Sequence, residues 1–260
     1  MTRNVLRGRI KAGETSYGLW VTLESPTLTE MAVALGLDWV CIDMEHGHLE
    51  FSDVNAHIRA VANSGTSVIV RVSAIEPSSV KRVLDMGAHG VVLPLVRGPE
   101  DVALGFRYGR YPPAGIRGVG GERAVTWGLG LQEYLRYADQ ETLIITLIET
   151  REAVDQIDAI LAVPGLEVIY FGPADLSASQ GYLGQWEGPG VAAQILSVRQ
   201  KAAERGIGAG ILATSLEDSV RRRDQGFSLV GLGSDTGLLI RSANAALLQL
   251  RGRVDKHLWF

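Results

Sequence analysis

The chain has a single cysteine, Cys41, in 260 residues. That excludes an intrachain disulfide framework and fits a reducing compartment such as the cytoplasm. Cys41 lies inside an apolar run and reads as a small buried hydrophobe. Lysine is scarce as well: Lys11, Lys81, Lys201 and Lys256 are the only four. None falls where an apolar run ends, so a Schiff-base mechanism has no amine at a reacting centre. No apolar run approaches the roughly 20 residues that span a bilayer, and the segment from Met1 to Ile10 has no apolar core of a signal peptide. No membrane partner is expected. A net charge of -4 argues against a nucleic-acid surface, which carries clustered positive charge.

Apolar residues, by contrast, are plentiful at 46%. They fall into short runs separated by longer amphipathic segments. Eight runs stand out: Gly18–Leu23, Trp39–Met44, Ser67–Val72, Gly90–Val96, Leu143–Glu149, Val168–Pro173, Ile207–Leu212 and Leu229–Asp235. Most are apolar throughout rather than alternating, as in parallel strands covered on both faces. Between them the spacing predicts helices over Thr27–Leu35, Pro77–Met86, Arg151–Leu161, Gly190–Arg205, Ser215–Gln225 and Thr236–Leu250. Eight strand–helix units in a chain of this length predict one α/β domain over residues 1–260, a (β/α)8 TIM barrel; an open doubly wound sheet is the competing arrangement. The longest irregular stretch, Tyr111–Gly130, has the length of a functional lid.

In such a barrel the chemistry sits where strands end. Asp43, Glu45, His46 and His48 follow the second run, Arg71 lies near the end of the third, Pro94 is within the fourth, Glu149 ends the fifth, Gly172-Pro173-Ala174-Asp175 follows the sixth, and Ser234-Asp235 ends the eighth. Charge buried at a strand end is costly unless paired or bound to a metal. Glu149 and Asp175, on adjacent strands, can share a hard divalent cation, though each can equally serve as a helix-capping acid. Arg71 can grip a substrate carboxylate or enolate, or form a salt bridge with Asp43 or Glu45. His46 is an acid–base candidate or a satisfied polar group. His48 is a weaker candidate, and His57, His89 and His257 read as structural or solvated. With no lysine placed for an imine, a metal acting as Lewis acid is the remaining means of stabilising an enolate.

The segments Asp43-Met-Glu-His-Gly47, Val70-Arg71-Val72, Arg110-Tyr-Pro-Pro-Ala-Gly-Ile-Arg-Gly-Val-Gly120, Ile148-Glu-Thr-Arg-Glu152 and Phe171-Gly-Pro-Ala-Asp-Leu-Ser177 resemble the HpcH/HpaI family of class II pyruvate aldolases, from about Gly18 to Leu250. The resemblance implies metal-dependent, reversible cleavage of a 4-hydroxy-2-oxo acid to pyruvate and an aldehyde, with Mg²⁺, Mn²⁺ or Co²⁺ on Glu149 and Asp175. It implies Arg71 on the enolate oxygen, His46 as acid–base group, Asp85 paired with it, and Gly172, Pro173, Ala174, Asp175 and Leu212 against substrate. Asp85 ends a helix and so belongs to the far face of its own barrel; a neighbouring subunit must then supply it. Relatives form hexamers, dimers of trimers that exchange the last helix, so a homo-oligomer is expected, with Thr236–Leu250 as that helix. Where many relatives read Gly-Val-Gly-Ser, this chain has Gly118-Val-Gly-Gly121, then Glu122 and Arg123. A lost hydroxyl and an added ion pair near the mouth bear on the aldehyde. Short polyhydroxy or dicarboxylic substrates are expected. The rival readings are oxaloacetate decarboxylation through the same enolate and a non-catalytic sugar-acid-binding barrel.

Overall fold

The computed structural model describes residues 4–253; Lys256 and His257 lie outside the described residues. The eight runs become strands β1 (Ser16–Val21), β2 (Trp39–Asp43), β3 (Ser67–Arg71), β4 (Gly90–Leu93), β5 (Leu143–Ile148), β6 (Val168–Phe171), β7 (Gly208–Leu212) and β8 (Leu229–Ser234). Each pairs in parallel with the next, and β8 returns to β1. The sheet is therefore a closed barrel, and the open doubly wound alternative is excluded. The helices are α1 (Val5–Lys11), α2 (Pro26–Ala34), α3 (Phe51–Ala60), α4 (Pro77–Asp85), α5 (Pro99–Gly109), α6 (Leu131–Glu141), α7 (Arg151–Asp155), α8 (Ile157–Ile160), α9 (Pro173–Ser179), α10 (Val191–Glu204), α11 (Leu216–Asp224) and α12 (Asp235–Arg251). No helix among the described residues is long and apolar enough to cross a membrane.

The strands read as continuous apolar runs because both faces are buried. Val40, Ile42, Val68, Val70, Val91 and Ile144 pack outward against the helices. Trp39, Cys41, Ile69, Val92, Ile145, Leu147 and Tyr170 fill the barrel interior, with Leu6 and Ile10 of α1 packed at its base. Every second residue thus enters the interior, the pleat imposing a period of two. The interior aromatics need room. Gly210 provides it on β7, where a Cβ would collide with the Tyr170 ring.

Two expectations change. The helix expected over Arg151–Leu161 is broken into α7 and α8. Gln156 leaves helical geometry at φ -104 and ψ 16, and its side-chain amide donates to the Arg97 carbonyl at 3.0 Å. The stretch Tyr111–Gly130 is not a lid over the mouth. Arg117, buried within it, donates to Asp85 at 2.8 Å and to the Tyr134 hydroxyl at 3.2 Å, and Tyr111 and Val125 join Tyr134 and Ala138 of α6 in a satellite core. Because α4 ends where β4 is about to begin, this packing lies at the face opposite the strand ends.

Candidate active site

The interior parity places the charges. In β2 the inward residues are Trp39, Cys41 and then Asp43; in β3, Ile69 and then Arg71; in β5, Ile145, Leu147 and, one step beyond the strand, Glu149. Asp43, Arg71 and Glu149 therefore form an ionic layer above an apolar one, and all three are buried. Asp43 and Arg71 are direct register partners. On β6 the corresponding inward position is Gly172, where a Cβ would come within 2.7 Å of Glu149 Oε2. Glycine there leaves room for the carboxylate.

Above this layer lies a cavity of about 440 Å³. His46, Arg71, Glu149, Gly172, Pro173, Ala174, Asp175 and Leu212 line it, together with Trp20, Leu147, Tyr170, Phe171 and Trp186. The structure thus brings together the expected residues except Asp85. His48 is exposed and outside the cavity.

Arg71 makes the salt-bridge contacts, to both Asp43 and Glu45. Its Nε donates to Asp43 Oδ1 at 2.8 Å, Nη2 binds Asp43 Oδ2, and Nη1 lies 2.9 Å from Glu45 Oε2. Its guanidinium also sits 4.7 Å from the centroid of the Trp20 ring, whose Nε1 donates to the Tyr170 hydroxyl at 3.0 Å. Burial works against the Arg71 charge, but the hydrogen bonds and charge of Asp43, with Glu45, outweigh it and raise its pKa. The cation is permanent, and its head is fixed while still facing the cavity. Asp43 Oδ1 also accepts the backbone N–H groups of Glu45 at 3.1 Å and His46 at 3.3 Å, so one carboxylate sets both the guanidinium and the turn that carries His46.

Glu149 is not a helix cap: Thr150 caps α7, its side chain accepting from the Ala153 N–H. Instead Glu149 Oε1 accepts the Leu95 N–H at 2.6 Å. Leu95 has φ 50, a left-handed conformation that costs a residue bearing a Cβ about 1–2 kcal/mol, and such strain concentrates at functional sites. Burial pushes the Glu149 carboxyl up to about 7; the charges of Glu45 and Asp175 push the same way, against the Leu95 hydrogen bond and Arg71. Burial likewise raises Glu45. Asp175 is not the cap of a helix starting near Leu176 but sits in the first turn of α9, whose N-cap is Gly172.

Four carboxylates, Asp43, Glu45, Glu149 and Asp175, thus surround one guanidinium already engaged by two of them. Glu149 and Asp175 face the cavity short of positive charge, with hard oxygen donors suited to a divalent cation. Among the described residues no group of three or more His, Cys, Asp or Glu could hold a metal ion. A cation here would take two protein carboxylates and keep its remaining positions for other oxygens. Of the residues at the start of α9, Pro173 has no N–H and the Gly172 N–H donates to Ile148 at 3.3 Å. Ala174 and Asp175 are left to offer theirs to an anion.

Asp85 lies elsewhere. It ends α4 and lines a groove of about 600 Å³ with Phe51, Arg59, Arg82, Arg123 and Trp127. Glu122 also lines that groove, and Arg123 Nη1 donates to the Met86 carbonyl at 3.1 Å. These two residues are therefore beside Asp85 and not near the mouth of their own barrel, which corrects the expected placement. His57 Nδ1 bonds the Thr29 hydroxyl at 2.7 Å, and His89 Nδ1 accepts the Val68 N–H at 3.0 Å; burial lowers the pKa of both, as in structural histidines. Asp235 accepts from the Thr22 and Leu23 N–H groups and the Thr22 hydroxyl, fixing the β1 end. The aromatic residues Trp20, Tyr170 and Trp186 carry no such signal in the sequence: the first two look like strand core, and Trp186 lies in the loop between α9 and α10.

The family model for HpcH/HpaI aldolase/citrate lyase matches residues 16–242. The chain is 36% identical over 244 residues to a 4-hydroxy-2-oxo-heptane-1,7-dioate aldolase of Escherichia coli, covering 93% of each. It is 34% identical to the hydroxypyruvate/pyruvate aldolase of Paraburkholderia phytofirmans, covering 95% of this chain and 98% of that one. A crystal structure of an HpcH/HpaI aldolase/citrate lyase family protein from Burkholderia cenocepacia superimposes with a TM-score of 0.89 at 35% identity, covering 95% of this chain and 99% of that one.

Proposed function

The chain belongs to the HpcH/HpaI aldolase/citrate lyase family, and from that premise we propose that it is a class II pyruvate aldolase, cleaving a 4-hydroxy-2-oxo acid reversibly into pyruvate and an aldehyde. The observation that carries this reading is the pair of cation-starved carboxylates, Glu149 and Asp175, in one cavity with His46 and Arg71. Glu149 and Asp175 would hold Mg²⁺, Mn²⁺ or Co²⁺, which when bound supplies Lewis acidity toward the 2-keto group and its enolate.

The chain's own groups do the rest. The Ala174 and Asp175 N–H groups hold the pyruvate carboxylate at the start of α9. His46 takes the proton of the C4 hydroxyl, the C3–C4 bond breaks, and the aldehyde leaves. Arg71, oriented by Asp43 and Glu45, has donors left over for the oxyanion at C2. Return of a proton to C3 gives pyruvate. Oxaloacetate decarboxylation is a second activity of the same site, because loss of its carboxylate leaves the same enolate on Arg71. A site with no chemistry, merely binding a sugar acid, gives no reason for His46 to face the cavity.

Residues 1–260 act as one barrel domain in a cytoplasmic homo-oligomer, a trimer or hexamer. Asp85 serves His46 of a neighbouring barrel, and α12 is exchanged between subunits. Support comes from apolar side chains left in the open: Trp127 in the groove beside Asp85, and Leu239, Ile240, Leu248 and Leu250 along α12. Exhaustive chelation should abolish pyruvate release from a 4-hydroxy-2-oxo acid, and Mn²⁺ should restore it. Full turnover by metal-free protein would refute the reading.

A further inference from the structure

Charged and apolar groups occupy different arcs of the mouth. His46, Arg71, Glu149 and Asp175 follow β2, β3, β5 and β6, whereas from the β6–β7 connection round to β1 the cavity wall is Trp186, Leu212 and Trp20. The carboxylates that follow β7 and β8 are engaged elsewhere. Asp235 is taken up by Thr22 and Leu23, and Asp218 by the Thr214 N–H at 3.0 Å and by Arg222 at 2.9 Å. The side chains that line that arc carry no charge of their own.

The loop carrying Trp186 is clamped on both sides. Buried Arg222 donates to Glu187 at 2.7 Å. The Ser177 hydroxyl donates to the Trp186 carbonyl at 3.1 Å and accepts the Gly188 N–H at 2.9 Å. Such anchoring makes the indole a fixed wall.

Resting on the aldolase reading above, we propose that the acceptor half of the site takes an aldehyde with an apolar substituent, up to an aromatic ring, and that Trp186 sets this preference. In the synthetic direction the pyruvate methyl carbon gives up a proton, bonds the aldehyde carbon, and the aldehyde oxygen takes a proton to become the C4 hydroxyl. A hydroxylated or carboxylated tail against Trp186, Leu212 and Trp20 would exchange its water for a wall that is mostly apolar. This departs from the polyhydroxy or dicarboxylic substrates expected from the sequence, and from the heptanedioate named for the Escherichia coli relative.

The test uses the full-length protein with Mn²⁺. Exchange of pyruvate methyl protons in D₂O, followed by NMR, reads enolisation without any aldehyde. Absence of exchange would overturn the aldolase reading and this inference with it. With exchange present, kcat/KM for benzaldehyde and hexanal should exceed that for glyceraldehyde and succinate semialdehyde by about tenfold or more, the discrimination an apolar pocket provides. Preference for the polar aldehydes would overturn the inference and leave the aldolase reading standing. Trp186→Ala should lower the benzaldehyde-to-succinate-semialdehyde ratio by about tenfold, and Trp186→Gln, which keeps some bulk, should lower it too. An unchanged ratio in whichever variant retains the wild-type circular dichroism would remove Trp186 from the assignment.

Discussion

Replacing Glu149 with glutamine should make the metal-free protein more stable at pH 8 while destroying its metal site. The carboxyl is pushed from 4.5 to about 7 in the folded chain, chiefly by burial. A folded pKa above the unfolded one means that the folded state holds the proton more tightly. Its contribution is complete below pH 4.5 and is lost as the pH rises through 4.5 to about 7. A shift of about 2.5 units at about 1.36 kcal/mol each is about 3 kcal/mol. Glutamine keeps the shape and can still accept the Leu95 N–H, but carries no charge. Urea unfolding of the metal-free proteins, at equal protomer concentration, should therefore give the variant an advantage of about 3 kcal/mol at pH 8 and almost none near pH 4.5. Mn²⁺ should close the gap, since only the wild type gains, by about 2.7 kcal/mol at a hundredfold excess over Kd, and should reverse the order at a thousandfold excess, where the gain is about 4.1 kcal/mol. Calorimetric metal titrations in buffers of different ionisation enthalpy should show clear proton release at pH 6 and much less at pH 8. A metal-free variant no more stable than the wild type at pH 8, or metal binding without proton release at pH 6, would refute the reasoning.

Other perturbations separate the roles of the remaining groups. Arg71→Ala should lower both aldol cleavage and oxaloacetate decarboxylation by about 10²–10³ in kcat, the usual loss of an oxyanion donor, and should also cost about 3–5 kcal/mol of stability because Asp43 is left buried and unpaired; retention of either activity would contradict a shared enolate site. Borohydride with pyruvate should leave the protein mass unchanged, since Lys11, Lys81 and Lys201 do not line the cavity; a pyruvyl-lysine adduct would exclude the metal mechanism. Mixing inactive Asp85→Asn subunits with inactive His46→Ala subunits should restore some aldolase activity, because some interfaces then pair wild-type His46 with wild-type Asp85. Exchanged oligomers seen by native mass spectrometry with no activity would remove Asp85 from the site.

The barrel was legible because each of its strands is an apolar run bounded by turn residues and spaced for a helix between. What the runs concealed was orientation. A strand buried on both faces has no hydrophobic alternation, so nothing in Trp39-Val-Cys-Ile-Asp43 says which residues face inward until the sheet closes. Contacts made by distant segments were also hidden. Gly-, Pro- and Arg-rich Tyr111–Gly130 has a lid's composition, yet Arg117 ties it to Asp85 and Tyr134 at the opposite face. Trp186 lies in a loop whose anchoring depends on Arg222, far along the chain.

The site residues nonetheless carried a signal that needs only the period of two. Taken at alternate positions, Trp39-Cys41 leads to Asp43, Ile69 to Arg71, and Ile145-Leu147 to Glu149: apolar, apolar, then an ion. No packing argument favours an ion at the next inward position, since burying it costs several kcal/mol. Glu149 retains that cost in the folded chain as a raised pKa, and Leu95 adds backbone strain to hold it. The first penalty would ease if a cation bound Glu149 and Asp175. Local rules broken together, at the same layer of separate strands, mark a place kept for chemistry rather than stability.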